Sequence, residues 1–151
     1  MTRELAFVDV AAAVERAIPG AVVERSEKLV LINSDKLPEV AKFLQEARGM
    51  EFDFLSSVSA VDYIDYFEVV YHLVSIKNNH STIIKTRAYS RDYPAVPTVV
   101  HIWQGADFQE REIFDLMGVI FTGHPSLKRI MLWEGFEGHP LRKDYIVVTP
   151  S

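Results

Sequence analysis

Between positions 66 and 89 the chain places Phe67, Val69, Tyr71 and Leu73 at every second residue, breaks at Lys77-Asn78-Asn79-His80, and resumes at Ser81. In extended chain, residues two apart share a face. The spacing therefore predicts a strand over 66–76 with those four side chains turned to a core and Glu68 and His72 on the more solvated side. The polar break predicts a hairpin turn into a second strand over 81–89, and 52–59 supplies a third, so an antiparallel sheet is expected at the centre of the chain. Such a sheet must cover its apolar face. Residues 10–18 predict an amphipathic helix that Asp9 caps and Pro19-Gly20 stops. A second helix opens at Ser34 or Asp35, with Pro38 just inside, and runs through Val40, Phe43 and Leu44 to Gly49. Residues 21–26 and 29–32 read as strands joined near Glu27-Lys28, and 98–103, after Pro94 and Pro97, as one more.

The expected class is α+β: an antiparallel or mixed sheet with two N-terminal helices, then a short helix and an extended C-terminal arm. No internal repeat, low-complexity tract or linker divides the 151 residues. The body is expected over 1–122 and the arm over 123–151 of the same domain. With 48% hydrophobic and 25% charged residues the chain is long and apolar enough for one real core.

The formal charge of -5 argues against nucleic-acid binding, which needs surplus cations on one face. Charge is unevenly placed. From 123 to 145, Lys128, Arg129, Arg142 and Lys143 against Glu134, Glu137 and Asp144 give +4 − 3 = +1, leaving -6 elsewhere. A mildly basic arm on an acidic body suits an acidic protein groove. With no cysteine, disulfides and thiolate ligation of zinc or iron–sulfur clusters by this chain are excluded. The first residues lack the apolar run of a secretory signal, and no window approaches the ~20 apolar residues of a membrane helix, so a cytoplasmic protein outside the bilayer is expected.

The C-terminal module concentrates the chemistry. Asp107 and Glu110 have capping-box spacing, and the helix they open is expected to run to Met117 and end at Gly118 in a left-handed conformation. Arg111 and Asp115, four apart, are placed to pair on one helix face. Glu110 and Glu112, two apart, point in different directions and make a poor acid–base pair, so capping and ion pairing account for the charges better than catalysis does. After Val119 periodicity is lost among Gly123, Pro125, Gly135, Gly138, Pro140 and Pro150. A stretch that long without regular structure is usually functional or held by another chain. In isolation the segment from about Gly123 onward is expected to be mobile or held by a neighbouring copy.

His124 and His139 each precede proline, and their spacing to Asp144 is not that of a metal site. His72 and His101 lie in expected strands and His80 in a turn. Arg129, Arg142 and Lys143 suit carboxylates or carbonyls of a partner, since no glycine-rich strand-to-helix loop accompanies them to cradle a nucleotide. Trp103, Phe114, Phe121, Trp133 and Phe136 are aromatic anchors for the body or for an interface core.

The ordered series Val96-Pro97-Thr98-Val99-Val100, Trp103, Ala106-Asp107, Glu110-Arg111-Glu112, Phe121-Thr122-Gly123-His124-Pro125 and His139-Pro140-Leu141-Arg142-Lys143-Asp144-Tyr145 resembles the thirty-kilodalton subunit of respiratory complex I, the proton-translocating NADH:quinone oxidoreductase. Residues 1–95 match only in layout. Lys128 stands where that family often has Arg, and Ser126 where it often has Asp. The resemblance implies a peripheral-arm structural subunit on the cytoplasmic side of the cell membrane, with no catalytic, cofactor-binding or metal-binding residues of its own. Its implied partners are the quinone-site large subunit and the terminal-cluster subunit, with FMN, iron–sulfur clusters and quinone held elsewhere in the complex. The implied interface residues are Glu110, Arg111, Glu112, Asp115, Gly118, His124, Pro125, Arg129, His139, Pro140, Leu141, Arg142, Lys143 and Asp144. Two alternatives stand beside it: a subunit of a related ferredoxin-, F420- or hydrogenase-linked complex, and a free-standing small enzyme using Glu110, Asp115, His124 and His139.

Overall fold

The computed structural model describes residues 2–133 and 136–146, so Glu134, Gly135 and Pro150 of the arm lie outside the described residues. Its centre is the expected hairpin: β5 (Phe67–Ser75) pairs antiparallel with β6 (His80–Ala88), and β4 (Phe54–Asp62) pairs antiparallel with β5. Phe67, Val69, Tyr71 and Leu73 are all fully buried, as their period of two requires. The N-terminal half adds β1 (Arg3–Glu4), α1 (Phe7–Ala17), β2 (Val22–Arg25), β3 (Val30–Ile32) and, after a 3₁₀ turn at Ser34–Lys36, α2 (Leu37–Glu46). The sheet runs β2-β3-β6-β5-β4, with β1 and β3 each parallel to β6 at different points along it. It is therefore mixed, and β4 is one of its edges.

The helices pack on the apolar face through Val10, Ala11 and Val14 of α1 and Leu37, Val40, Ala41 and Leu44 of α2. Capping differs from expectation in α1: Ala6 is the N-cap and Asp9 lies in the first turn without a capping bond. At α2, Asn33 caps the preceding 3₁₀ turn, its Oδ1 accepting from the Asp35 N–H at 3.1 Å, and Pro38 sits in the first helical turn.

Residues 98–103 do not form the expected strand. The strand there is β7 (Ala95–Pro97), parallel to β8 (Ile120–Thr122), and the chain then turns. The reason is where the backbone donors go: Val99 N–H reaches the Glu110 carboxylate, and Ile102 and Trp103 both donate to the Val99 carbonyl. Trp103 is held beneath by donating Nε1–H to the Phe52 carbonyl at 2.9 Å. The third helix, α3 (Ala106–Met117), ends at Gly118 with φ of 77°, the left-handed stop the sequence announces.

Candidate functional site

Helix α3 buries Ala106, Glu110, Ile113 and Met117, spaced four, three and four residues apart, which is one helical stripe. Glu110 thus belongs to the core face. It is not the second half of a capping box: Gly105 is the N-cap, with no side-chain capping bond. Its carboxylate accepts a short hydrogen bond from Thr98 Oγ1 and another from Val99 N at 3.0 Å, tying the helix to the turn after β7. Burial with no cation beside it, helped by Asp107, pushes Glu110 up to about 7 against those two bonds. The neighbouring Tyr71 hydroxyl is fully buried, has no hydrogen-bond partner among the described residues, and is raised well above its ordinary value by burial and by Glu110.

Asp115 points half a turn away from that stripe, yet it too is fully buried. What covers it is the C-terminal arm. Oδ2 accepts the successive N–H groups of Ile130 (3.1 Å), Met131 (2.7 Å) and Leu132 (3.0 Å), while Oδ1 takes a short bond from Arg129 Nε. The same guanidinium donates to the Asp115, Phe136 and Gly138 carbonyls at 2.9, 2.5 and 2.6 Å. Burial alone would raise the Asp115 carboxyl, but Arg129 and the three backbone donors outweigh it and hold it at about 2. The partner of Asp115 is thus Arg129 and not Arg111, which lies 4.0 Å from Asp107. His139 completes this first latch: its Nδ1 lies 2.9 Å from the Asp115 carbonyl and its ring lies over Gly118, where a Cβ would meet it at 2.8 Å.

A second latch joins the arm to the end of β4. Asp62, nearly fully buried, receives Arg91 at 2.5 and 3.1 Å, the Lys143 N–H at 2.9 Å and the Ile64 N–H at 2.8 Å. Despite burial these donors hold its carboxyl at about 2. Arg91 also bonds Asp144 at 2.9 Å, and Asp144 in turn accepts from Arg142 Nε at 2.7 Å. Arg142, with Arg91 behind it, holds the Asp144 carboxyl well below its usual range. Both guanidinium groups lie against the Phe67 ring, at 4.7 and 5.0 Å from its centroid. Between the two latches, Leu141 N–H donates to the Leu116 carbonyl at 2.8 Å.

The arm therefore forms no helix or strand among its described residues, as expected, but its own body holds it, contrary to the expectation of a loose segment awaiting a neighbour. Buried Asp62 and Asp115 need donors, and the arm supplies them. His124 joins in: its side chain is fully buried, Nδ1 accepts from the Ser126 N–H at 3.0 Å, and Nε2 lies 3.0 Å from Asp107 Oδ1 without an aligned hydrogen bond. Accepting at Nδ1 leaves Nε2 as the protonated nitrogen. Pro125, Lys143 and Asp144 are exposed, Pro140 is half-buried, and Glu112 is exposed with no ion pair among the described residues.

Outward, the arm carries large apolar side chains beside exposed Lys128, Glu137, Lys143 and Asp144. Met131, Trp133, Leu141 and Ile146 are 59%, 68%, 59% and 78% exposed. This reverses the usual arrangement, in which a segment docks by its apolar side. Sequence reasoning named Trp133 as a possible interface anchor but missed Met131, Ile146, Asp62 and Arg91. The helical stripe was the available signal for Glu110; none exists for Asp62. The acids and histidines invoked for catalysis do not converge: Glu110 serves Thr98 and Val99, Asp115 serves Arg129, His124 faces Asp107 and His139 the Asp115 backbone. Among the described residues no three His, Asp or Glu side chains are grouped to hold a metal ion, and no helix is long and apolar enough to cross a membrane.

Fold and site together define a structural module, a helix-covered sheet with a C-terminal segment latched on by its polar side. The family described as respiratory-chain NADH dehydrogenase, 30 Kd subunit, matches residues 30–151, and the chain belongs to it. It is 41% identical over 136 residues to the NADH-quinone oxidoreductase C-subunit of Roseiflexus castenholzii, covering 88% of this chain and 78% of that protein. With a second such relative, one of the NADH-quinone oxidoreductase C-subunits of Rhizobium meliloti, it shares 46% identity over 114 residues, 74% of this chain and 62% of the relative. The chain thus spans about three-fifths to four-fifths of the length of such relatives. A chain in the structure of the membrane-bound sulfane sulfur reductase, an archaeal respiratory membrane complex, superposes with a TM-score of 0.74 at 23% identity, covering 91% of this chain and 84% of that one. That likeness is one of fold alone.

Proposed function

We propose that this chain is a non-catalytic peripheral-arm subunit of a proton-translocating NADH:quinone oxidoreductase. In this reading electrons pass from NADH through FMN and iron–sulfur clusters, all held by other subunits, to quinone. The chain braces the quinone-reducing end on the cytoplasmic side of the membrane, against the quinone-site large subunit and the terminal-cluster subunit. The observation that carries the reading is the reversed polarity of the arm: ion pairs and backbone bonds face its own body, while Met131, Trp133, Leu141 and Ile146 face outward. Large apolar side chains left exposed in this way suit an interaction site, and Trp is among the residues that dominate interface energetics. A surface already fixed before binding loses little conformational freedom on association.

Within this reading the interface residues divide by role. Arg111, Glu112, Pro125, Leu141, Lys143 and Asp144 present atoms to solvent and are available to a partner. Asp115, Gly118, Arg129, His139 and Arg142 serve by holding the arm, Glu110 by tying α3 to the turn after β7, and His124 and Pro140 are partly covered residues of the arm itself. The test is affinity purification of the tagged chain from its native membranes, with mass spectrometry of what accompanies it. Recovery of quinone-site and cluster-bearing subunits is expected; recovery of the chain alone would overturn the reading. The fold shared with a chain of a sulfane sulfur reductase complex supports a second reading, a related respiratory assembly with another electron donor. Co-purified ferredoxin-, F420- or hydrogen-oxidising subunits in place of an NADH-oxidising module would select it.

A further inference from the structure

The edge strand β4 and helix α3 enclose an apolar groove of about 200 Å³, floored by Ile113, Leu116, Met117 and Leu141. Part of the main chain along its β4 wall has no partner among the described residues. In the antiparallel hairpin β4–β5, Tyr63 N–H donates to the Tyr66 carbonyl, so odd-numbered residues 59 and 61 turn their backbone groups towards β5 and even-numbered 58, 60 and 62 turn theirs outward. Val58 bears this out independently: its N–H points away from β5 and donates to Gln109 Oε1 of α3 at 2.6 Å. The Val58 carbonyl and both backbone groups of Ala60 then face the groove with no partner among the described residues. One charge stands at the rim, Glu112, exposed and outside every ion pair among the described residues.

We propose that this groove receives a short extended segment of a partner polypeptide, which adds as a strand to β4. The occupant is defined by what is missing. Free N–H and C=O groups along an edge strand select another strand's backbone, and a pocket beside them selects one side chain of every two. The pocket is apolar, so that side chain is aliphatic or aromatic. The unpaired Glu112 carboxylate selects a Lys or Arg alongside it by charge complementarity. The inference rests on the subunit reading above and adds the mode of contact, on a face that shares Leu141 with the exposed apolar residues of the arm.

Two variants and one exchange measurement test it. Ala60→Pro removes the outward N–H, which the chain's own sheet does not use, and proline is tolerated on edge strands for that reason. Glu112→Lys reverses the rim charge on a solvent-exposed position. Each is expected to lower recovery of the chain in the membrane complex about tenfold, with the circular dichroism of the purified chain unchanged. In the wild type, the amide of Ala60 is expected to exchange fast in the isolated chain and at least tenfold more slowly in the assembled complex. That last readout stands even if Ala60→Pro fails to fold. A wild type that assembles while both variants assemble equally well, or an Ala60 amide whose exchange is the same in both states, would overturn the groove assignment and leave the subunit reading intact. Protection that rises with concentration of the isolated chain would overturn the partner assignment in favour of a second copy. A wild type that recovers no respiratory subunit would overturn both readings.

Discussion

Glu110 and Tyr71 show what burial costs when a partner is missing. The Tyr71 hydroxyl lies in the core without a hydrogen-bond partner among the described residues, a penalty of about 1–3 kcal/mol for a buried polar group. Tyr71→Phe keeps the ring and removes the stranded oxygen, so it is expected to raise stability by about 1 kcal/mol, read as a higher urea midpoint at constant slope. Glu110 carries a pH signature. Its folded pKa of about 7 lies above the ordinary 4.5, so between those values the folded chain holds a proton that the unfolded chain has released. Its contribution is intact below about 4.5 and is lost as pH rises towards 7. Asp62 and Asp115 run the other way: held at about 2 against 3.8, they stabilise fully above 3.8 and lose that contribution as pH falls towards 2. Stability is therefore expected to peak at about pH 4–5. Glu110→Gln mimics the protonated acid, accepting from Val99 N–H and donating to Thr98 Oγ1. It should flatten the decline between 4.5 and 7 and leave the acid limb unchanged in urea titrations across pH.

At the scale of elements, α3 has two buried sides with different origins. Its core stripe belongs to the body, whereas the side bearing Asp115 is buried by the arm. Asp115→Asn keeps an acceptor for the three backbone donors but places an amide N–H₂ against the Arg129 guanidinium. It should release the arm while sparing the sheet, with tryptic cleavage after Lys128 or Arg129 accelerated and far-UV circular dichroism retained; equal loss of both would contradict a latch that is local. Gly118→Ala meets two obstacles, a φ of 77° and the His139 ring at 2.8 Å from the new Cβ, and is expected to cost about 2 kcal/mol or more. The hairpin and the C-terminal end of α3 were legible in the sequence because the period of two and the glycine stop are local signals. The latches were not. Arg129 lies 14 residues from Asp115 and the Lys143 amide 81 residues from Asp62, and in each pair the arm residue belongs to a stretch with no period to place it. Glu110 was misread for a related reason: spacing from Asp107 suggests a capping box, and only the stripe through Ala106, Ile113 and Met117 shows that the side chain faces inward.

Across the whole molecule, the body and arm solve opposite problems. The body buries apolar side chains under its helices, and the arm turns Arg129 and Arg142 towards that body while Met131, Trp133, Leu141 and Ile146 stay outside. A surface of this kind is stable in solution only while it is small, and it becomes useful when another chain covers it. The latches therefore link fold to function: they set the shape that a partner meets. The measurement that tests this most directly is parallel affinity purification of the wild-type chain, Trp133→Ala and Asp115→Asn from native membranes. The wild type should bring quinone-site and cluster-bearing subunits with it. Trp133→Ala, whose exposed ring packs edge-on against Phe136 of the arm, should bring less than a tenth as much with the stability of the body unchanged, as truncating an interface anchor does. Asp115→Asn should behave likewise because its arm is unlatched. Full recovery of the respiratory subunits by both variants would contradict the account.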